Sequence, residues 1–440
     1  MRYAVALCLC LFIAADGLAA AADGIEMVRI PRGTFTMGSE EDLSKPIATN
    51  KPAHRITISA FKMGMYEVTN QQFAEYLNAA ELGGQIEVRD DLPATAHGTG
   101  IFVLGASGYP SAGQKIYHLG GTNLDGESEL NIPWIAYDEG AVLGMRFQVL
   151  DSQDLFGNND ALDTTDWPAT FVPWHGAAAF AAFNDYALPT EAQWEYASQG
   201  GVGNDYGTDD GTLSLVNANY SGQAAPGGIA AGAVGHVVAV GSYPANPFGL
   251  NDLAGNAWEW TADNYDGQFC ANTEGATDPF SHTGIDGTSD NPEETVACTG
   301  GPNLVCNCNT RLKRGGSWNF HAVTIRSQAR NTDYPYRGND HFGFRVVGAL
   351  SKPNKPGKLA AEIQDDGSVL FSWDDKSDDE SFFELDCKGK GKWAHVAKVG
   401  ANVDQVTSEA LGAGTKYKCR LRARNSAGKS GWKRKKIDLR

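Results

Sequence analysis

Two prolines and a glycine fall within residues 351–357, a stretch without apolar period, and they divide the chain into two parts that fold separately. Beyond the break, residues 368–373, 382–387 and 417–423 alternate apolar and polar positions, with turn residues between them. Period-two patterning at this spacing predicts an all-β sandwich for 358–440. The part before the break reads differently. The chain of 440 residues holds 52 glycines and only 20% charged residues, which favours a loop-rich α/β (α+β) fold over a helical bundle. At this length the first part can bury a sizeable core.

Arg2, the apolar run 3–13 and the alanines at 19–22 read as a secretory signal over 1–22, cleaved after Ala22. The run is too short to span a bilayer, and no second run approaches that length. A soluble protein exported to the periplasm or cell exterior, with no transmembrane anchor, is expected. Cys8 and Cys10 leave with the signal. Six cysteines remain, an even number that in an exported chain predicts disulfides. Pairing within each group is the economical expectation: Cys387 with Cys419, and Cys270, Cys298, Cys306 and Cys308 among themselves.

The net charge of −17 is uneven. Residues 351–440 carry 19 Lys and Arg against 13 Asp and Glu, a net of +6, so the rest carries −23. The large part should repel nucleic acid and anionic surfaces. The basic run 433–436 reads as a solvated strand end.

Within the large part, 27–38 alternates like a strand pair around a Pro/Gly turn, and 55–61 is another strand. Thr69 caps a helix whose Phe73, Tyr76 and Leu77 share a face. A second helix covers 176–184. A third opens at Thr190, where Thr190-Glu191-Ala192-Gln193 makes a capping box. Residues 82–165 and 266–309 have little hydrophobic pattern and read as insertions, the second stapled by its cysteines.

Five ordered segments then carry a resemblance: 31–38; Tyr66-Glu67-Val68-Thr69-Asn70 with Phe73; Pro173-Trp174 leading into 188–197; Asp252-Leu253-Ala254-Gly255-Asn256-Ala257-Trp258-Glu259-Trp260; and Arg314-Gly315-Gly316-Ser317-Trp318 through Phe342-Gly343-Phe344-Arg345. Over 24–350 the chain resembles the formylglycine-generating enzyme family. The resemblance implies a C-type-lectin-like fold with little regular secondary structure. In the small part Trp373, Leu411-x-x-Gly414-Thr415-x-Tyr417 and Asn425-x-x-Gly428 resemble a fibronectin type III domain. That likeness puts Cys387 and Cys419 on neighbouring strands, where a cross-strand disulfide is expected.

The family likeness implies a structural calcium ion held by Asp252, the Gly255 and Ala257 carbonyls, and Glu259. Carboxylates and carbonyls within one flexible loop suit a hard cation. A second family site would use Asn219 and the Tyr220 carbonyl, but the position of its acidic ligand reads Gly232. The active-site groove maps to Trp258, Ser317 and His321. The family's copper-binding cysteine pair reads Phe320 and Ile325, which cannot supply the thiolates that copper(I) needs, so no copper is expected. The resulting expectation is a calcium-stabilised, exported binding or accessory module for a protein, peptide or glycan ligand. The alternative is an oxidative enzyme of the same superfamily that uses a different metal or site in the retained groove. Neither reading involves nucleic acid.

Overall fold

The computed structural model describes residues 24–41, 50–90, 99–103, 114–119, 133–151, 162–224, 228–281, 310–350, 352–376, 380, 382–400, 403–408, 411, 415–425 and 428–438. Four short strands build the central sheet of the large part, in the order Asn331–Asp333, Arg311–Arg314, Trp258–Asn264 and Phe342–Gly343. The first three run antiparallel and the last pair is parallel. Trp258 and Trp260 point into the main core, while Glu259 between them faces the opposite side. A strand buried on both faces can carry this charge only if it is paired.

The first and third helices start where their caps predict, and the second, expected over 176–184, spans Trp174–Phe183 with no side-chain cap. Asn70–Leu82 starts at Thr69, with Gln72 completing a capping box, and buries Phe73, Tyr76 and Leu77. Trp174–Phe183 packs beside it through Phe180, whose ring lies 5.8 Å from Phe73. Glu191–Ser198 is capped by Thr190, whose backbone N–H donates to the Gln193 side chain at 2.9 Å.

Residues 27–38 form two strands as expected, but they do not pair with each other. Met27–Ile30 pairs with Phe61–Gly64, and Gly33–Met37 pairs with His54–Ile58. Ile30, Phe35 and Met37 all enter one apolar cluster, so each strand reaches the same core through a different partner. The first insertion is also more ordered than its pattern suggests. Ile86–Asp90, Thr99–Val103 and Lys115–His118 make a three-stranded sheet, and Ile135–Tyr137 pairs with Phe147–Val149. Ile101, Tyr117, Trp134 and Phe147 from these short pieces join the main core. Each strand is too short for its alternation to stand out in sequence.

The C-terminal part is a β-sandwich. One sheet orders Leu359–Ile363, Val369–Trp373 and Gln405–Ser408. The other orders Ala394–Gly400, Phe382–Lys388 and Lys416–Asn425, with Lys433–Asp438 and Gly428–Lys429 on the far side. Phe371, Trp373, Phe383, Leu385 and Leu421 fill the space between the sheets. Cys387 and Cys419 stand opposite each other on neighbouring strands and form a disulfide. Among the described residues, no helix is long and apolar enough to cross a membrane.

Candidate functional site

Arginines and glutamates from the motifs hold the frame of the site. Arg345 clasps Glu259 with two bonds of 2.6 and 2.7 Å, and Trp194 adds a third donor at 2.8 Å. Arg314 binds Glu195 and lies 3.4 Å from Glu191, which is itself held by Arg330 at 2.6 and 2.9 Å. All six charged side chains are fully buried, so each charge depends on its partner. These motif residues act as scaffold for the loops above them.

Trp258 is buried, and its ring meets Phe320 edge-on at 5.2 Å. Phe320 reaches His341 at 5.7 Å. Ser317 is buried and donates to Asn319 Oδ1 at 2.8 Å. His321 is a buried histidine at the start of the short helix Ala322–Ile325; its Nδ1 has no partner, and burial lowers its pKa. Trp258 Nε1 is likewise buried without a partner.

Phe320 and Ile325 share one apolar cluster with Ala218, Tyr220, Ala254 and Ala322. The two positions that hold metal-binding thiols in the resembling family are packing residues here. Gly316 lies against the second of them. It adopts φ +75°, and a Cβ there would lie 2.2 Å from Ile325 Cδ1.

Lys313 was missed by the sequence reading. Its Nζ sits 3.0 Å from Asp333 and 3.2 Å from the centre of the Phe342 ring, within 5.8 Å of Trp258. Burial pushes its pKa down to about 8, against the pull of Asp333. The only sequence signal was its place on the strand before Gly315-Gly316-Ser317, and a lysine there reads as solvent-facing.

The loop 252–256 turns sharply, with Asp252, Gly255 and Asn256 at φ 60°, 86° and 59°. Gly255 has no alternative, because a Cβ would lie 2.0 Å from the Asn219 carbonyl oxygen. The calcium expectation meets this geometry in part. Glu259 is committed to Arg345 and Trp194. Asp252 Oδ2 accepts from the Gly241 N–H at 2.6 Å, whereas its Oδ1 is buried with no donor. Glu67 supplies a second such oxygen: Oε1 accepts from Asn256 at 3.2 Å and Oε2 has no donor. Burial raises the pKa of both carboxyls, that of Asp252 to about 6, and Asp252 raises Glu67 further. Two neighbouring buried carboxylates with orphan oxygens fit a hard cation, with Glu67 in the place expected of Glu259. Glu67 was legible in Tyr66-Glu67-Val68 as a motif residue, though not as a ligand. Among the described residues no three His, Cys, Asp or Glu side chains converge, so main-chain or amide oxygens would complete such a set. Glu67, but not Asp252, lines a cleft of about 520 Å³ together with Glu26, Glu75 and Asp166.

The second calcium set is poorer. Asn219 Nδ2 donates to the His236 carbonyl and to Asn256 Oδ1 at 2.9 and 3.0 Å, leaving its Oδ1 buried without a partner. Tyr220 belongs to the apolar cluster, and Gly232 lies exposed with no ligand to offer. Cys270 is a buried free thiol pushed up to about 12 by desolvation, which corrects its expected disulfide. Its side chain lies in the field of Arg330 and Glu191, inside the charged frame. Cys298, Cys306 and Cys308 fall outside the described residues.

Comparison with known proteins agrees with this anatomy. The sulfatase-modifying factor enzyme 1-like domain matches residues 17–350, and the fibronectin type III domain matches 354–437. The formylglycine-generating enzyme of Mycobacterium tuberculosis is 31% identical over 338 residues, covering 73% of this chain and 97% of its own. The bovine formylglycine-generating enzyme is 27% identical, covering 73% and 74%. A second bovine relative, inactive C-alpha-formylglycine-generating enzyme 2, is 23% identical, covering 76% and 91%. The chain thus belongs to the formylglycine-generating enzyme family and carries a fibronectin type III domain behind that domain.

Proposed function

We propose that this protein is an exported, calcium-stabilised binding or accessory module in which the family domain presents its groove to a protein, peptide or glycan ligand without oxidising it. The observation that carries this reading is the apolar cluster joining Phe320 and Ile325. A copper(I) oxidase needs soft thiolates at those positions, and two hydrocarbon side chains packed together can bind no metal. The bovine relative described as inactive is consistent with a family scaffold that outlives its chemistry. Calcium, held by Asp252 and Glu67, would neutralise two buried carboxylates and stiffen the loop beside the groove.

The test is direct. Incubation of the mature chain with a Cys-x-Pro-x-Arg peptide, oxygen and copper should yield no aldehyde, while the peptide or a glycan ligand is retained without change. Aldehyde formation above a heat-killed control overturns the reading.

An oxidative enzyme with a different metal is the second reading, favoured by His321 Nδ1 and Trp258 Nε1, both buried beside the groove without partners. Stoichiometric copper or iron in the purified protein would put it first.

A further inference from the structure

The exposed face of the larger fibronectin sheet is organised in rows across the strands Phe382–Lys388, Lys416–Asn425 and Lys433–Asp438. In two rows an acid neutralises the arginines. Glu384 binds Arg422 and Arg424 at 2.7 and 2.9 Å, and Asp386 binds Arg420 at 3.0 Å. In the next row the acid's place is taken by a lysine. Lys388 stands opposite Lys418, and Lys418 opposite Lys436. Strand spacing puts these backbones about 4.8 Å apart, and like charges so placed destabilise the sheet unless something covers them. Beyond this row Lys416 already has Asp438 at 3.3 Å. Among the described residues Lys388, Lys418 and Lys436, together with neighbouring Arg434 and Lys435, have no acidic partner. With Trp393 they line a cleft of about 450 Å³. The Cys387–Cys419 disulfide joins the first two strands directly behind the row and fixes its spacing.

We propose that this row is a binding site for an anionic polysaccharide, whose sulfate or carboxylate groups bridge Lys388, Lys418 and Lys436. The aromatic side chains beside it argue against nucleic acid. Arg420 lies between Trp393 and Trp432, 4.2 and 4.0 Å from their ring centres, and Arg422 stacks on Trp432 at 4.2 Å. Rings already faced by guanidinium groups offer no platform for bases. An anionic membrane would need apolar side chains to insert, and among the described residues of this domain the large exposed hydrophobic one, Ile363, lies on the other sheet. The inference is independent of the groove, since it uses none of the groove's residues.

The test titrates the full mature chain with a sulfated heparin oligosaccharide in low salt. The triple variant Lys388→Gln, Lys418→Gln, Lys436→Gln should bind at least about 10-fold more weakly, with a smaller loss of affinity per decade of salt. A second variant, Lys352→Gln, Lys355→Gln, Lys358→Gln, removes the same charge from exposed positions elsewhere and should stay within about 2-fold of the parent. Equal loss in both variants, no binding by the parent, or tighter binding to single-stranded DNA or anionic vesicles than to the oligosaccharide each overturns the proposal.

Discussion

At residue scale, the packing around Ile325 leaves no room to spare. Gly316 approaches Ile325 so closely that no side chain fits, and its φ of +75° would strain any other residue. Gly316→Ala should destabilise the large domain by about 2 kcal/mol or more, from strain and overpacking together. Gly316→Ala combined with Ile325→Ala should recover part of that loss, because only the steric component is relieved. Urea midpoints of the three proteins measure both effects, and a single variant as stable as the parent contradicts the packing described. The motif Arg314-Gly315-Gly316-Ser317 was legible in sequence. The tight contact of Gly316 with Ile325, nine residues on, was not, because contact across a turn leaves no periodic trace.

At the scale of elements, the helix Trp174–Phe183 carries a buried histidine at its start. His175 Nδ1 has no partner, and burial, helped by Arg311, holds its pKa down to about 3 from an ordinary 6.5. Below pH 6.5 the unfolded chain takes up a proton that the folded chain refuses. The stability contribution is therefore fully present above 6.5 and is lost as pH falls toward 3. His175→Leu should flatten the pH dependence of stability in that window by about one proton. Denaturation midpoints at several pH values between 7 and 4 would show it, and parallel curves for parent and variant would assign the acid sensitivity to other groups. Element starts were readable at Thr69 and Thr190 because a cap and its glutamine are neighbours in the chain. The partners of residues 27–38 were not readable, because strand pairing is decided by which core each edge can reach.

At the scale of the molecule, charge is sorted: the first 350 residues carry −23 and the last ninety +6. Buried carboxylates in an already acidic body are expensive unless neutralised, and Glu67 with Asp252 is such a pair. Chelation with EGTA should lower the melting temperature by several degrees, and added calcium should restore it by mass action. Asp252→Asn with Glu67→Gln should abolish the response without unfolding the domain. An unchanged melting temperature in EGTA, with less than about 0.1 calcium per chain by metal analysis, would remove the ion from this site.

Local chemistry decided what the sequence alone could determine. The capped helices, the β-sandwich and the five motifs are written in neighbouring residues. Tertiary structure decided which charges meet. Glu259 reads as a ligand in sequence and is bound to Arg345, 86 residues away, while Glu67 and Asp252, each with a buried oxygen that has no donor, fall within each other's field. The lysine row arises in the same way, from strands separated in sequence and brought into register. Burial makes such encounters costly or useful, and burial is a property of the folded chain.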